Sequence, residues 1–152
     1  MMEIIRVEGN KKQYPDLLLL ADEQESMIDR YLERGELFVG IENGEAAAVM
    51  VVTDEGGGVL EIKNLAVAPD RQGRGHGREM IEYAARVYAQ HFTTLRVGTG
   101  ESPLTLPFYK KCGFEMAGRI KDFFTNNYDH PIIEGGVLLR DMVILEKEIK
   151  RA

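Results

Sequence analysis

The sequence predicts an α/β fold: a mixed, mostly antiparallel central sheet of six to seven strands, flanked by about four helices, with a bulge in its fourth strand. Three observations carry this expectation. Asn43-Gly44 and Gly56-Gly57-Gly58 punctuate alternating apolar segments, the pattern of antiparallel strands joined by tight turns. A strand, a helical stripe and another strand then follow at the spacing of a parallel crossover. In the strand that begins this crossover, Leu60 and Ile62 share one face, but Leu65 and Val67 share the other.

Taken in order, Glu3–Val7 reads as a first strand, and residues 14–20 and 23–34 read as helices. Met27, Ile28, Tyr31 and Leu32 give the second helix an apolar stripe, and Gly35 ends it. Residues 37–41 and 46–52 flank the Asn43-Gly44 turn, and Val59–Val67 follows the glycine turn. A bulge near Lys63 or Asn64 accounts for the change of face in that strand; a strand buried on both sides is the alternative. A helix beginning near Gly75 carries Met80, Ile81, Ala84, Ala85 and Tyr88 on one side and ends around His91. Residues 95–97 form a short strand, Pro107 opens a short helix that runs through Lys111, and Gly113 ends it. Residues 114–120 and 138–146 complete the strands. Residues 122–137 form a long connection, either a functional lid or a spacer.

A chain of 152 residues fits one domain, spanning 1–152, that buries a core without disulfides or a structural metal. No apolar run approaches the roughly 20 residues of a membrane span, and Met1-Met2-Glu3-Ile4-Ile5-Arg6 lacks the features of a signal peptide. The expected location is the cytoplasm, without a membrane partner. Cys112 is the one cysteine, and His76, His91 and His130 are scattered, so neither a disulfide nor a metal site is expected. A net charge of -6 gives no footprint for nucleic acid, although Arg71, Arg74 and Arg78 form a local basic patch that suits a small phosphorylated ligand.

That patch lies in Arg71-Gln72-Gly73-Arg74-Gly75-His76-Gly77-Arg78, between the strand and the helix of the crossover. Its glycines let the backbone approach a ligand, and the unpaired N–H groups of the following helix favour an anion. The spacing excludes two familiar phosphate loops. A dinucleotide fingerprint requires glycine where Arg78 stands, and no Gly-Lys-Ser or Gly-Lys-Thr occurs for a phosphate-loop NTPase.

Gln72-Gly73-Arg74-Gly75-His76-Gly77 resembles the Gln/Arg-x-x-Gly-x-Gly/Ala loop of the GCN5-related N-acetyltransferase (GNAT) family, which binds the pyrophosphate of acetyl-coenzyme A. Leu65-Ala66-Val67-Ala68-Pro69 precedes it as in that family, and Phe108-Tyr109-Lys110-Lys111-Cys112-Gly113-Phe114 resembles the later Leu-Tyr-x-x-x-Gly-Phe element. The sharp part covers residues 61–114; the remaining elements match by order and length, and residues 123–142 are similar to a bacterial subgroup.

The resemblance implies direct attack of an amine on the thioester of acetyl-coenzyme A, with no metal and no covalent enzyme intermediate. Backbone N–H groups of Gln72, Gly73, Arg74, Gly75, His76, Gly77 and Arg78 would hold the pyrophosphate. Arg74 and Arg78 either add charged contacts or form a solvated helix start, and the His76 side chain is expected to be exposed. Main-chain groups of Leu65 and Val67, with Ala66 between them, would bind the pantetheine arm and polarise the thioester oxygen.

Tyr109 lies where many members carry a tyrosine that protonates the thiolate; an aromatic on the apolar face of a short helix is its other reading. The resemblance implies Glu61 as the candidate base, because the family's histone-acetylating branch carries its general base at this spacing from the loop; a strand carboxylate paired with Lys63 is the other reading. Ser102 stands where relatives use an asparagine on the pantetheine arm, and Cys112 reads as a small buried hydrophobe. Phe123, Phe124, Tyr128, Asp129, His130 and Glu134 would cover the acceptor if their segment is a lid. The implied acceptor is a primary amine of a small molecule, an amino acid derivative or a peptide end. The alternative is a non-catalytic module that binds an acyl-coenzyme A; retention of Glu61 and Tyr109 favours the enzyme. Family habit and exposed strand edges suit a homodimer.

Overall fold

The computed structural model describes residues 2–150. Along the chain lie β1 (Glu3–Val7), α1 (Pro15–Ala21), α2 (Glu25–Ile28), β2 (Glu36–Glu42), β3 (Glu45–Gly56), β4 (Val59–Val67) and α3 (His76–Val87). They are followed by β5 (Thr94–Gly100), α4 (Leu106–Lys111), β6 (Glu115–Ile120), α5 (Phe123–Asn127), β7 (Ile133–Glu134), β8 (Val137–Leu138) and β9 (Met142–Glu148). Seven strands form one sheet in the order β1-β2-β3-β4-β5-β9-β6, and β7 and β8 form a separate hairpin. Among the described residues only β4 and β5 pair in parallel. The expected mixed, mostly antiparallel sheet is therefore present, with five α-helices among the described residues rather than about four.

Local chemistry explains the first half of the sheet. Asn43 and Gly44 adopt left-handed conformations (φ 52° and 78°), which two-residue hairpins of this twist require, so β2 and β3 are joined where the sequence indicates. In β4, Asn64 lies opposite Val51 and Ile62 opposite Val52, leaving Lys63 without a counterpart. This is the bulge. Before it, Leu60 and Ile62 face the core beneath α3. After it, Leu65 and Val67 take that side, whereas Ala66 packs on the opposite face beneath α1.

The sheet is thus covered on both faces. Met80, Ile81 and Ala84 of α3 pack with Met50, Val52, Leu60 and Leu95 on one side. Leu17, Leu18, Ile28 and Leu32 pack with Leu37, Val39, Val49 and Val51 on the other. Leu32 is 1% exposed, and truncating it to alanine would cost about 2–5 kcal/mol.

Three expectations change here. The helix expected over residues 23–34 is a single turn, Glu25–Ile28, followed by turns. Arg30 N–H bonds to the Met27 carbonyl and Tyr31 N–H to that of Ile28, the tighter spacing of a 3₁₀ turn, while Lys11 Nζ takes the carbonyls of Leu32, Glu33 and Gly35. The apolar stripe is buried as read. Gly35 ends this segment by close approach rather than by a left-handed cap, because a Cβ there would lie 2.8 Å from Val51 Cγ1. Finally, residues 122–137 contain α5 and the β7–β8 hairpin around a small core of Phe124, Ile132 and Leu139. Leu138 belongs to that hairpin, and β9 starts at Met142.

The feature that positions a site is the limited pairing of β4 with β5. Their ladder covers only Val59–Ile62 against Thr94–Val97. Beyond it β4 stays with β3 and β5 stays with β9, so the sheet splays open between them. No helix among the described residues is long and apolar enough to cross a membrane.

Candidate active site

A cavity of about 400 Å³ occupies the splay. Its walls are β4 from Ile62 to Val67, β5 from Val97 to Gly100, the end of α1 with Asp22 and Glu23, Thr105 and Tyr109 of the α4 region, and the segment that carries Phe124, Tyr128 and Glu134. Gly98 and Gly100 admit the side chains of Met142 and Leu139, which a Cβ at either glycine would strike.

The open edge of β4 is the first polar element of this site. Antiparallel ladders use the main-chain groups of alternate residues, and Ala68 N–H donates to the Ala47 carbonyl on the β3 side. By alternation Leu65 and Val67 direct their main-chain groups to the gap. Gln72 Nε2 donates to the Val67 carbonyl at 3.1 Å and ties the glycine loop to the strand. The side chains of Leu65 and Val67 pack against the α3 core.

Within the loop, Gly73 and Gly75 have left-handed φ values of 79° and 86°, which a residue with a Cβ adopts only under strain. Gly77 serves another purpose: a Cβ there would lie 3.0 Å from the Phe108 ring, so glycine lets α3 and α4 touch. Glu79 N–H to Gly75 carbonyl is the first bond of α3, leaving the N–H groups of His76, Gly77 and Arg78 without helical partners at the positive end of its dipole. Arg74 is exposed, and Arg78 is exposed and pairs with Glu82 at 3.2 Å.

His76 departs from expectation. It is buried rather than exposed, with Nε2 3.1 Å from a Glu42 carboxylate oxygen, though not aligned as a hydrogen bond. Arg71 reaches the same Glu42 at 3.1 Å and Glu45 at 2.7 Å. The β2–β3 hairpin thereby draws the start of α3 onto the sheet, an effect the alternating glycines do not encode.

Tyr109 is buried and lines the cavity, its ring set edge-on against Phe108 and Phe114. Burial, with smaller contributions from Cys112 and Glu134, pushes its phenol above the ordinary value, so it holds its proton. That state suits an acid. Cys112 is buried, as its reading requires, and burial pushes its thiol up.

Of the candidates, the loop residues Gly73 to Arg78 lie beyond the cavity wall, and neither Ser102 nor Glu61 lines it. Ser102 is 3% exposed, and its Oγ accepts from Leu104 N–H at 3.1 Å within its own turn. Thr105, donating to the Gly100 carbonyl at 3.1 Å, and Thr99 are the threonines on the wall instead. Glu61 is buried, and its carboxylate lies 2.8 Å from Lys63 Nζ and 3.9 Å from Arg96. Its neighbour Lys63 is the one on the wall.

The structure also assembles a cluster that has no local signature. Asp22 accepts hydrogen bonds from Tyr128 (2.6 Å) and Tyr31 (3.0 Å), and the Tyr31 oxygen accepts from Asn64 Nδ2 at 3.1 Å. Desolvation raises the Asp22 carboxyl above its ordinary value despite these donors. Outside the cavity, His130 lies between Asp129 (2.5 Å) and Glu23 (2.8 Å), and Asp129 N–H donates to Gln24 at 2.9 Å. These contacts clasp the segment after α5 to the end of α1. No group of His, Cys, Asp or Glu among the described residues could hold a metal ion.

Known proteins resemble this chain in sequence and in fold. A family model described as an acetyltransferase (GNAT) domain matches residues 33–116. An uncharacterized N-acetyltransferase of Bacillus subtilis (strain 168), YvbK, is 40% identical over 143 residues, covering 91% of this chain and 90% of its own. A GNAT family acetyltransferase from Elizabethkingia anophelis, solved with acetyl-CoA bound, superposes with a TM-score of 0.91 at 34% identity over 97% of both chains. A Bacillus subtilis acetyltransferase in complex with CoA superposes with a TM-score of 0.86 at 36% identity, covering 97% of this chain and 99% of its own.

Proposed function

The chain belongs to the GNAT family of acetyltransferases, and on that premise we propose that it transfers the acetyl group of acetyl-coenzyme A to a primary amine of a small molecule or peptide, by direct attack on the thioester. The observation that carries this reading is one continuous cavity joining the open edge of β4, Gln72 of the glycine loop and the phenol of Tyr109. Residues 1–152 act as one acetyltransferase domain in this proposal.

The N–H groups from Gln72 to Arg78 hold the pyrophosphate, since several donors and the helix dipole act on one anion. Exposed Arg74 and Arg78 stand beside it for charge-assisted contacts. The pantetheine arm lies along β4 as a strand would, exchanging hydrogen bonds with the main chain of Leu65 and Val67 across Ala66, and one of their N–H groups polarises the thioester oxygen. Thr105 takes over the contact expected of Ser102.

Nitrogen attacks the carbonyl carbon, the C–N bond forms, and the C–S bond breaks with its electron pair leaving on sulfur. Tyr109 protonates that sulfur, and the proton shed by nitrogen as the adduct collapses restores the phenol. The ammonium's other proton reaches solvent, so each turnover releases one. Glu61 is not the direct base in this reading, because its carboxylate is turned to Lys63.

Calorimetric titration with acetyl-coenzyme A, followed by thiol release over a panel of amines, tests the proposal. Binding with release on a primary amine is expected. Binding without release on any acceptor would favour a non-catalytic acyl-coenzyme A module, and no binding would overturn both.

A further inference from the structure

We propose that Asp22 is the acceptor-binding and proton-accepting carboxylate of this enzyme, and that its substrate is a primary amine with an apolar body and no carboxylate beside the amine. This inference rests on the acetyltransferase reading and names the substrate class of the same cavity.

Asp22 extends from the end of α1 into the cavity wall. Its carboxylate takes three neutral donors, the hydroxyls of Tyr31 and Tyr128 and the Gln24 N–H, and pairs with no cation among the described residues. Three donors leave room for one more on a group that accepts about four. A carboxylate withdrawn from water without a countercharge is costly, and a cationic ligand relieves that cost.

A second observation points to the same ligand. Asn64 is 2% exposed and lines the cavity at the bulge. Its Nδ2 donates to the Leu18 carbonyl (2.9 Å) and to the Tyr31 oxygen (3.1 Å). The opposite amide orientation would set its oxygen against the Leu18 carbonyl, so Tyr31 must give its own proton to Asp22. Asn64 Oδ1 is then a buried acceptor with no donor. A primary ammonium carries three N–H bonds, enough for Asp22, Asn64 and one further acceptor.

The remaining charges on the wall agree. Glu23 pairs with His130 at 2.8 Å and Lys63 with Glu61 at 2.8 Å, so neither is available to a ligand. Glu134 is the third carboxylate on the wall and, like Asp22, is in no ion pair among the described residues; it is half-buried. Two carboxylates facing one cavity attract an ammonium and repel an anion beside it. Phe124 and Tyr128 stack with ring centroids 5.6 Å apart, and exposed Leu20 and Ile133 meet the cavity at its rim, which suits an apolar substituent.

The step balances. The ammonium gives one proton to Asp22, which passes it to solvent, and the freed nitrogen lone pair attacks the thioester carbon. Groups that tune Asp22 come from every side: Glu23 raises its proton affinity, Tyr31, Tyr128 and the Gln24 N–H lower it, and desolvation dominates. The other ionisable groups of the surrounding segments are Arg30, whose charge acts on Tyr128; Lys63 and Glu134 on the wall; and His130 beside Glu23.

The test is the pH dependence of kcat/KM for phenethylamine, with phenylalanine as the same body plus a carboxylate. Wild type is expected to favour phenethylamine by at least about tenfold, and Asp22→Asn to lose about 10²-fold or more and its acidic limb. Acetyl-coenzyme A affinity should stay within about twofold, because Asp22 touches none of the groups assigned to the coenzyme. Tyr128→Phe removes a donor and is expected to move the limb to higher pH, which keeps the test decisive if Asp22→Asn fails to fold. An unchanged limb in either folded variant, or a preference for phenylalanine, would overturn the inference while leaving transfer intact. Loss of coenzyme binding or of all turnover in the wild type would instead remove the acetyltransferase reading and the inference with it.

Discussion

Lys63, the extra residue of the β4 bulge, turns its ammonium back to within 2.8 Å of Glu61 on its own strand. The bulge thus exposes backbone to the cavity while its charge is neutralised beside it. Glu61→Gln is expected to keep the acidic limb of the pH–rate profile and to lower turnover less than about tenfold, short of the roughly 10²-fold or more that loss of a base produces. Unfolding should register about 1–2 kcal/mol, because Lys63 loses its partner. A vanished acidic limb would return the base role to Glu61.

Tyr109 faces the cavity with its proton held by burial. Tyr109→Phe removes the hydroxyl and keeps the ring between Phe108 and Phe114. Turnover should fall by about 10²-fold with coenzyme affinity within about twofold. Equal kcat in a stopped-flow thiol assay would eliminate the acid role.

The loop glycines predict different failures. At Gly75, φ is 86° and space is open, so Gly75→Ala pays only for backbone strain, about 1–2 kcal/mol, at the atoms assigned to the pyrophosphate. Weaker coenzyme binding with little change in packing is expected. At Gly77 the added Cβ would lie 3.0 Å from Phe108, so Gly77→Ala should lower the melting temperature through the α3–α4 contact. Calorimetric binding and thermal denaturation, run on both variants, separate the two effects.

Hydrogen bonds to Asp129 and then Glu23 raise the His130 pKa above its ordinary value. A raised folded value means that the clasp contributes fully below the unfolded pKa, near 6.5, and is lost as pH rises through the folded one. The stability gap between wild type and His130→Gln should therefore close as pH increases. A melting-temperature series over that range, with the ring titrated by NMR, measures this; a gap that widens with pH contradicts it.

Much of the fold was legible because its signals are local. Asn43-Gly44, the parity change at Lys63 and the strand–helix–strand spacing each depend on a few neighbouring residues, and each marks the feature observed. Residues 23–34 were legible as a buried stripe but not as turns, since Lys11, Asp22 and Asn64 hold Leu32 and Tyr31 from other segments. Residues 122–137 carry no periodicity because α5, β7 and β8 close around only Phe124, Ile132 and Leu139. His76 is buried by Glu42 of a distant hairpin. Asp22 is an ordinary residue after a helix until Tyr31, Asn64 and Tyr128 are brought beside it.

The Tyr128–Asp22 hydrogen bond joins residues 106 positions apart, whereas the strand, loop and helix start assigned to the coenzyme are contiguous in sequence. Closing so long a loop costs chain entropy that local contacts do not incur. The amine side of the cavity is therefore expected to assemble late, once residue 128 has docked, and native-state hydrogen exchange should find its amides among the first to exchange.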